Sequence, residues 1–200
     1  MNDQARTAVL NWKQAVDTAA DTSVPAATPT QKPVVTRKLT PEEIAIARSV
    51  FGDALDTSQI QLTDSGVPFA GDNAVAFPNL VNFPPGTLSQ PGNHFHGWLV
   101  HELTHIWQYQ RGHTVPQLAV DAAGGDYDYG GPEGLVAAHD AGKRFGQFTF
   151  EEQGNILRHY WERTQRGEDV SAYKFYVDSV RYGTSDGVYP EPAPPPGRPV

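Results

Sequence analysis

The chain has 200 residues, with 15 Lys+Arg against 23 Asp+Glu and a formal net charge of −8. That length suits one ordinary domain with tails, and a 38 % hydrophobic fraction can build a core, while 19 Gly and 17 Pro demand long loops or irregular ends. The acidic balance argues against a nucleic-acid partner, no window approaches the roughly 18 apolar residues of a membrane span, and the absence of Cys excludes disulfides and thiolate chemistry.

Any metal or catalytic site must therefore be built from His, Asp, Glu, Tyr or Ser. The opening MNDQARTAVLNWKQAVDTAADTS lacks the apolar run and small-residue cleavage site of a signal peptide, so Sec export is not expected. Residues 4–20 read as a short amphipathic helix around Val9, Leu10, Trp12 and Val16, or as a frayed arm. Residues 21–38 are rich in Thr, Pro and Ala and read as a linker. Thus 1–38 is assigned to an arm and linker, 39–187 to the folded domain, and 188–200 to a disordered Pro-rich tail.

The domain opens with a helix start: Thr40 as N-cap, Pro41 in the first turn, Glu43 closing a capping box, and Gly52 as terminator. Ile44, Ala47, Val50 and Phe51 form its apolar stripe. Between about 59 and 83 the runs QIQL, NAVAF and LVNF alternate with turn residues and predict a small sheet or a pair of hairpins. The most strongly patterned helix covers 97–111 and stops at Gly112. A Gly/Tyr-rich loop (124–131) precedes a helix at about 132–142. Another helix starts after Thr149, and a last one covers 169–181 with Val170, Tyr173, Val177 and Val180 on one face.

Residues 101–105 read His-Glu-Leu-Thr-His. Two histidines four apart stand one turn apart on the same helix face, where their ring nitrogens can share one ion. Glu102 sits at the edge of that face, within reach of a water activated there. This is the His-Glu-x-x-His signature of zinc metalloproteases. Leu99, Val100, Leu103, Ile106 and Trp107 are available to bury the helix back, and Trp107 and Gln108 to orient His105.

A third ligand is required. His113 lies outside the register of a third-histidine pattern, so a later glutamate is expected, and Glu151 and Glu152 both open the helix after Thr149. Thr149 as N-cap gives Glu152 a capping role and frees Glu151. A helical wheel with Gln153, Ile156, Leu157, Tyr160 and Trp161 as apolar face points mildly toward Glu152.

The segments His-Glu-Leu-Thr-His-Ile-Trp-Gln-Tyr-Gln (101–110), Tyr-Asp-Tyr (127–129) and Phe-Glu-Glu-Gln-Gly-x-Ile (150–156), with Leu-Thr-x-x-Glu-Ile-x-x-Ala-Arg-x-Val-Phe-Gly (39–52), resemble the zincin-like metallopeptidase domains found on type VI secretion spike proteins of the VgrG type and as stand-alone bacterial proteins. The resemblance covers about 39–165. It implies an α+β zincin-like fold, mostly helical with a small sheet before the zinc helix. It places the third ligand at Glu151, although Glu152 stands where that pattern has Gln. It also implies an antibacterial effector made in the bacterial cytoplasm, leaving by a non-Sec route and acting in a target-cell periplasm, with a spike and an immunity protein as partners.

On this reading Zn2+ is held by His101, His105 and Glu151, and Glu102 is the general base for hydrolysis of a protein or peptide substrate. Tyr127, Tyr129, His139, His159 and Tyr160 are candidate donors to the oxyanion, with His159 chosen because it lies two turns beyond Glu151. His94 and His96 are expected at the cleft rim. The alternatives are a binding or structural module with a closed metal site, completed for example by His159 or Asp140, and an amidase acting on cell-wall peptides.

Overall fold

The computed structural model describes residues 33–183 except 69, 93 and 126. The predicted helix at 4–20, most of the 21–38 linker and the 188–200 tail lie outside the described residues.

Strand β1 (Thr36–Lys38) leads into helix α1 (Pro41–Phe51). The predicted cap is present: the Thr40 hydroxyl accepts from the Glu43 N–H and the Glu43 carboxylate accepts from the Thr40 N–H. Strands β2 (Gln61–Thr63), β3 (Val75–Phe77) and β4 (Leu80–Asn82) follow. They form a sheet in the order β1-β2-β4-β3, in which β1–β2 and β3–β4 are antiparallel and β2–β4 parallel. The predicted hairpin is β3–β4, turned by Pro78 and by Asn79 at φ 61°, a conformation that Asn tolerates. The linker reading is corrected at its end, since Thr36–Lys38 pairs with β2 and the fold takes in residues before 39. Buried Asp64 secures this edge by accepting the N–H groups of Val35 and Leu88.

Helix α2 (Phe95–Gln110) carries the His-Glu-x-x-His segment and is buried along most of its length. Next comes α3 (Val115–Gly124), an element absent from the sequence reading, then α4 (Gly131–Asp140), α5 (Phe150–Gln165) and α6 (Ser171–Tyr182). The dominant packing is α2 against α5, with the sheet covering the opposite flank of α2 through β3. Leu99, Val100, Leu103 and Ile106 are fully buried, as are Ile156 and Leu157 of α5, so the predicted apolar backs meet in one core. Arg181 of α6 ties the end of α1 by donating to the Val50 and Ser49 carbonyls. Among the described residues no helix is long and apolar enough to cross a membrane.

Glu43 fastens β1 to α1. It is 2 % exposed and accepts both terminal amines of Arg37, at 2.7 and 2.8 Å. Burial alone would raise its pKa, but the Arg37 hydrogen bonds and the cap hold it below the usual carboxylate range. Its charged form therefore stabilises the fold above the unfolded-state pKa, and that stabilisation is lost as pH falls through the folded-state value. Glu43→Gln should cost about 1–3 kcal/mol at pH 7, and the gap from wild type should shrink below about pH 4; urea denaturation at the two pH values checks this.

Candidate metal centre

Two neighbouring turns of α2 place the His101 and His105 rings 4.9 Å apart, with their Nε2 atoms at 3.2 Å. Oε2 of Glu151, in the first turn of α5, lies 3.0 Å from His101 Nε2 and 3.5 Å from His105 Nε2. The three residues are buried and offer ligand atoms within 4.8 Å of one another. Ligand atoms about 2.0–2.1 Å from a tetrahedral ion stand roughly 3.3–3.4 Å apart, and the three observed separations bracket that spacing.

The hydrogen bonds behind the rings identify which nitrogens face inward. Nδ1 of His105 is 2.8 Å from Oε1 of Gln108, whose amide N–H groups donate to the Phe150 carbonyl and to Gln153 Oε1. Nδ1 of His101 is 3.1 Å from Oδ1 of Asn155, whose amide donates to the Tyr127 carbonyl. Each amide is thereby locked with its oxygen toward the imidazole, so each Nδ1 must carry the proton. In the neutral rings both Nε2 lone pairs then converge on the Glu151 carboxylate. Such a donor set fits a divalent ion of the zinc type, with the Gln108 and Asn155 amides holding the two rings from behind.

The electrostatics agree. Burial would lower the His105 pKa, but Glu151 and then Glu102 raise it; burial would raise Glu151, but the two histidines draw it far below the usual range. The cluster thus demands positive charge at its centre.

Glu151, and not Glu152, reaches the histidines. Glu152 is occupied by the helix cap, its N–H donating to the Thr149 hydroxyl and its carboxylate accepting the Thr149 N–H at 2.8 Å. The backbone at Glu151 is fixed by Asp121 of α3, whose carboxylate accepts the Phe150 N–H at 2.6 Å and the Glu151 N–H at 3.3 Å.

Glu102 is 5 % exposed and lines the same cleft as the triad. Burial raises its pKa, the two histidines oppose that, Glu151 adds to it, and the neighbouring Trp98 side chain favours the charged form. Trp98 is one turn before Glu102 on α2 and also lines the cleft. The cleft has a volume of about 580 Å³, with β3 on one wall and α3 on the other. Tyr109 lines it as well, and its hydroxyl donates to the Ala76 carbonyl of β3, joining α2 to the sheet edge.

Of the predicted oxyanion donors, the cleft contains Tyr127 alone. Its phenol is raised to about 12 by burial and by the charges of Glu151 and Glu102, so it remains a donor at neutral pH. The choice of His159 is corrected. Eight residues along a helix turn through about 800°, which leaves His159 roughly 80° from Glu151. Its Nδ1 meets the Tyr129 hydroxyl at 2.7 Å, and that hydroxyl meets Tyr173 at 2.9 Å. His139 is exposed and meets Phe175 edge to face, and Tyr160 pairs with Arg181. Neither His94 nor His96 is among the residues that line the cleft, and His96 packs against Trp161. Neither His159 nor Asp140 joins the metal-ligand group among the described residues.

Gly154 lies inside helix α5, beneath His101. A Cβ there would lie 2.6 Å from Cε1 of His101, so the ring rests directly on the α5 backbone. Glycine in a helix interior costs about 1 kcal/mol relative to Ala, and this contact is the reason to keep it. Gly154→Ala should displace His101 and weaken zinc binding about 10- to 100-fold with the helix retained, as read by competition with a chelating dye.

No protein-family model matches the chain. It is similar to the type VI secretion system spike protein VgrG2b of Pseudomonas aeruginosa, with 30 % identity over 152 residues. That alignment takes in 70 % of this chain but only 14 % of the spike protein. The fold matches the solved effector domain of Pseudomonas aeruginosa VgrG2b with a TM-score of 0.58 and 27 % identity, covering 86 % of this chain and 96 % of that domain. The chain is thus a homologue of the spike's effector domain and corresponds to a small part of the whole protein.

Proposed function

We propose that this homologue of the VgrG2b effector domain is a zincin-like metallopeptidase that hydrolyses peptide bonds, and that it serves as a secreted bacterial effector. The single observation that carries the reading is the convergence of two Nε2 lone pairs and one carboxylate beside a buried glutamate in an open cleft. His101, His105 and Glu151 would hold the ion. Zinc, when bound, supplies Lewis acidity toward water and the substrate carbonyl.

The chain's own groups perform the remaining work. Glu102, which lines the cleft with Trp98, accepts the proton of the attacking water and delivers it to the amide nitrogen as the C–N bond breaks. Its raised pKa brings the base nearer to working pH. The Tyr127 hydroxyl has no partner among the described residues and lines the cleft, which suits it to donate to the oxygen that gains charge.

A structural metal would require a fourth side chain, and the triad has none among the described residues. That supports hydrolysis over the binding-module reading. Similarity to the VgrG2b effector domain supports export on a secretion spike, with an immunity protein as the producer's safeguard.

Glu102→Gln keeps the shape of the site and removes the base. It should retain one zinc per chain while turnover of a peptide pool falls by about 10²- to 10⁴-fold. Undiminished turnover would remove Glu102 from the mechanism.

A further inference from the structure

Arg158 is the residue of the cleft that the peptidase reading leaves unused. Seven residues after Glu151, it returns to within about 20° of the same face of α5, roughly 10.5 Å farther along the axis. Glu151, Asn155 and Arg158 thus form one stripe along the cleft. Among the described lining residues it is the sole cation apart from the histidine pair.

The guanidinium is held at one end only. Its Nε donates to Oε1 of Glu162 at 2.8 Å, one turn farther on. Its two terminal amines have no partner among the described residues. Glu162 in turn is seated over Gly97 of α2, where any Cβ would collide with its carboxylate. A guanidinium anchored through Nε presents Nη1 and Nη2 as two parallel donors, which match the two oxygens of a carboxylate. The other charges facing this space are Glu102 and Glu151 at the reaction centre, and the opposite wall, from Val67 to Ala76, is largely apolar. A neutral peptide leaves the fork to water, whereas a carboxylate there gains two charge-assisted hydrogen bonds.

We infer that Arg158 is a specificity-determining residue, selecting peptides that carry a carboxylate about three residues from the bond cleaved. The distance follows from the rise of α5 against about 3.3–3.6 Å per residue of extended peptide. The inference rests on the peptidase reading for its substrate. The carboxylate belongs either to an acidic side chain or to a free C-terminus.

The test uses the zinc-loaded full chain and two peptide pools. In one, ends are blocked and Glu or Gln occupies each position in turn; in the other, neutral peptides end in a free or an amidated C-terminus. Cleavage sites are read by mass spectrometry. Glu peptides should be cut roughly 10- to 100-fold faster than their Gln partners when Glu lies two to four residues from the cut. Faster cutting of free-ended peptides alone would identify the chain end as the source. Arg158→Gln, with zinc content and Tm retained, should bring the ratio to about one, and Arg158→Lys should leave an intermediate ratio. No preference in the wild type, or a preference that survives Arg158→Gln, overturns the assignment. Calorimetry of the same peptides on zinc-loaded Glu102→Gln separates the two readings. Tighter binding of carboxylate-bearing peptides without cleavage by wild type would sink the peptidase and keep the Arg158 site; equal binding of both kinds would sink the site.

Discussion

One buried amide, Gln108, joins the two helices on which the site depends. It accepts the proton of His105 Nδ1 and donates to the Phe150 carbonyl and to Gln153, fastening α2 to the first turn of α5. The same contacts that align the helices also set the tautomer of one histidine. Asn155 repeats the device from the other side, between His101 and the loop that carries Tyr127. Ring orientation, lone-pair direction and helix packing are therefore coupled, and the Glu151 carboxylate is brought in by a helix whose start is fixed twice, by Thr149 and by Asp121.

The consequence is electrostatic. Two carboxylates, Glu102 and Glu151, are withdrawn from water beside two imidazoles. Burying such charges is expensive unless opposite charge compensates them. A proton shared between His105 and Glu151 is one compensation and a divalent ion is another. The cost of assembling this group falls on the α2–α5 interface, where fully buried Leu99, Val100, Leu103, Ile156 and Leu157 supply apolar burial. The open side of the cluster faces the cleft.

Much of this was legible in the sequence because it rests on local rules. The i, i+4 histidines, the Thr40–Glu43 and Thr149–Glu152 boxes, and the apolar backs of the two main helices all follow from helical periodicity and capping. The Thr149 cap occupies Glu152 and leaves Glu151 beside the histidines, although a helical wheel sets Glu152 nearer the apolar face. What escaped the reading depends on partners distant in sequence. Helix α3 had a signal in Thr114 and Gln117, whose side chain accepts the Thr114 N–H, but only Leu118 and Ala119 of it are buried, so no apolar stripe marked it. Strand β1 is three largely polar residues, recognisable only through its pairing with β2. His159 failed through angular drift along a helix, and the same arithmetic brings Arg158 into view. Gly154 left a trace as a glycine within a helical run, though nothing in the sequence says that a ring from another helix lies on it.

The central claim is that His101 and His105, each protonated at Nδ1, share one ion through Nε2 with Glu151. Histidine-labelled protein followed by long-range 1H–15N NMR during a zinc titration tests it most directly. The account predicts that one equivalent of zinc moves the Nε2 resonances of two histidines and leaves both Nδ1 atoms protonated, with the change absent in Glu151→Ala and present in Glu152→Ala. Ligation through Nδ1, or histidine resonances that ignore zinc, would contradict it.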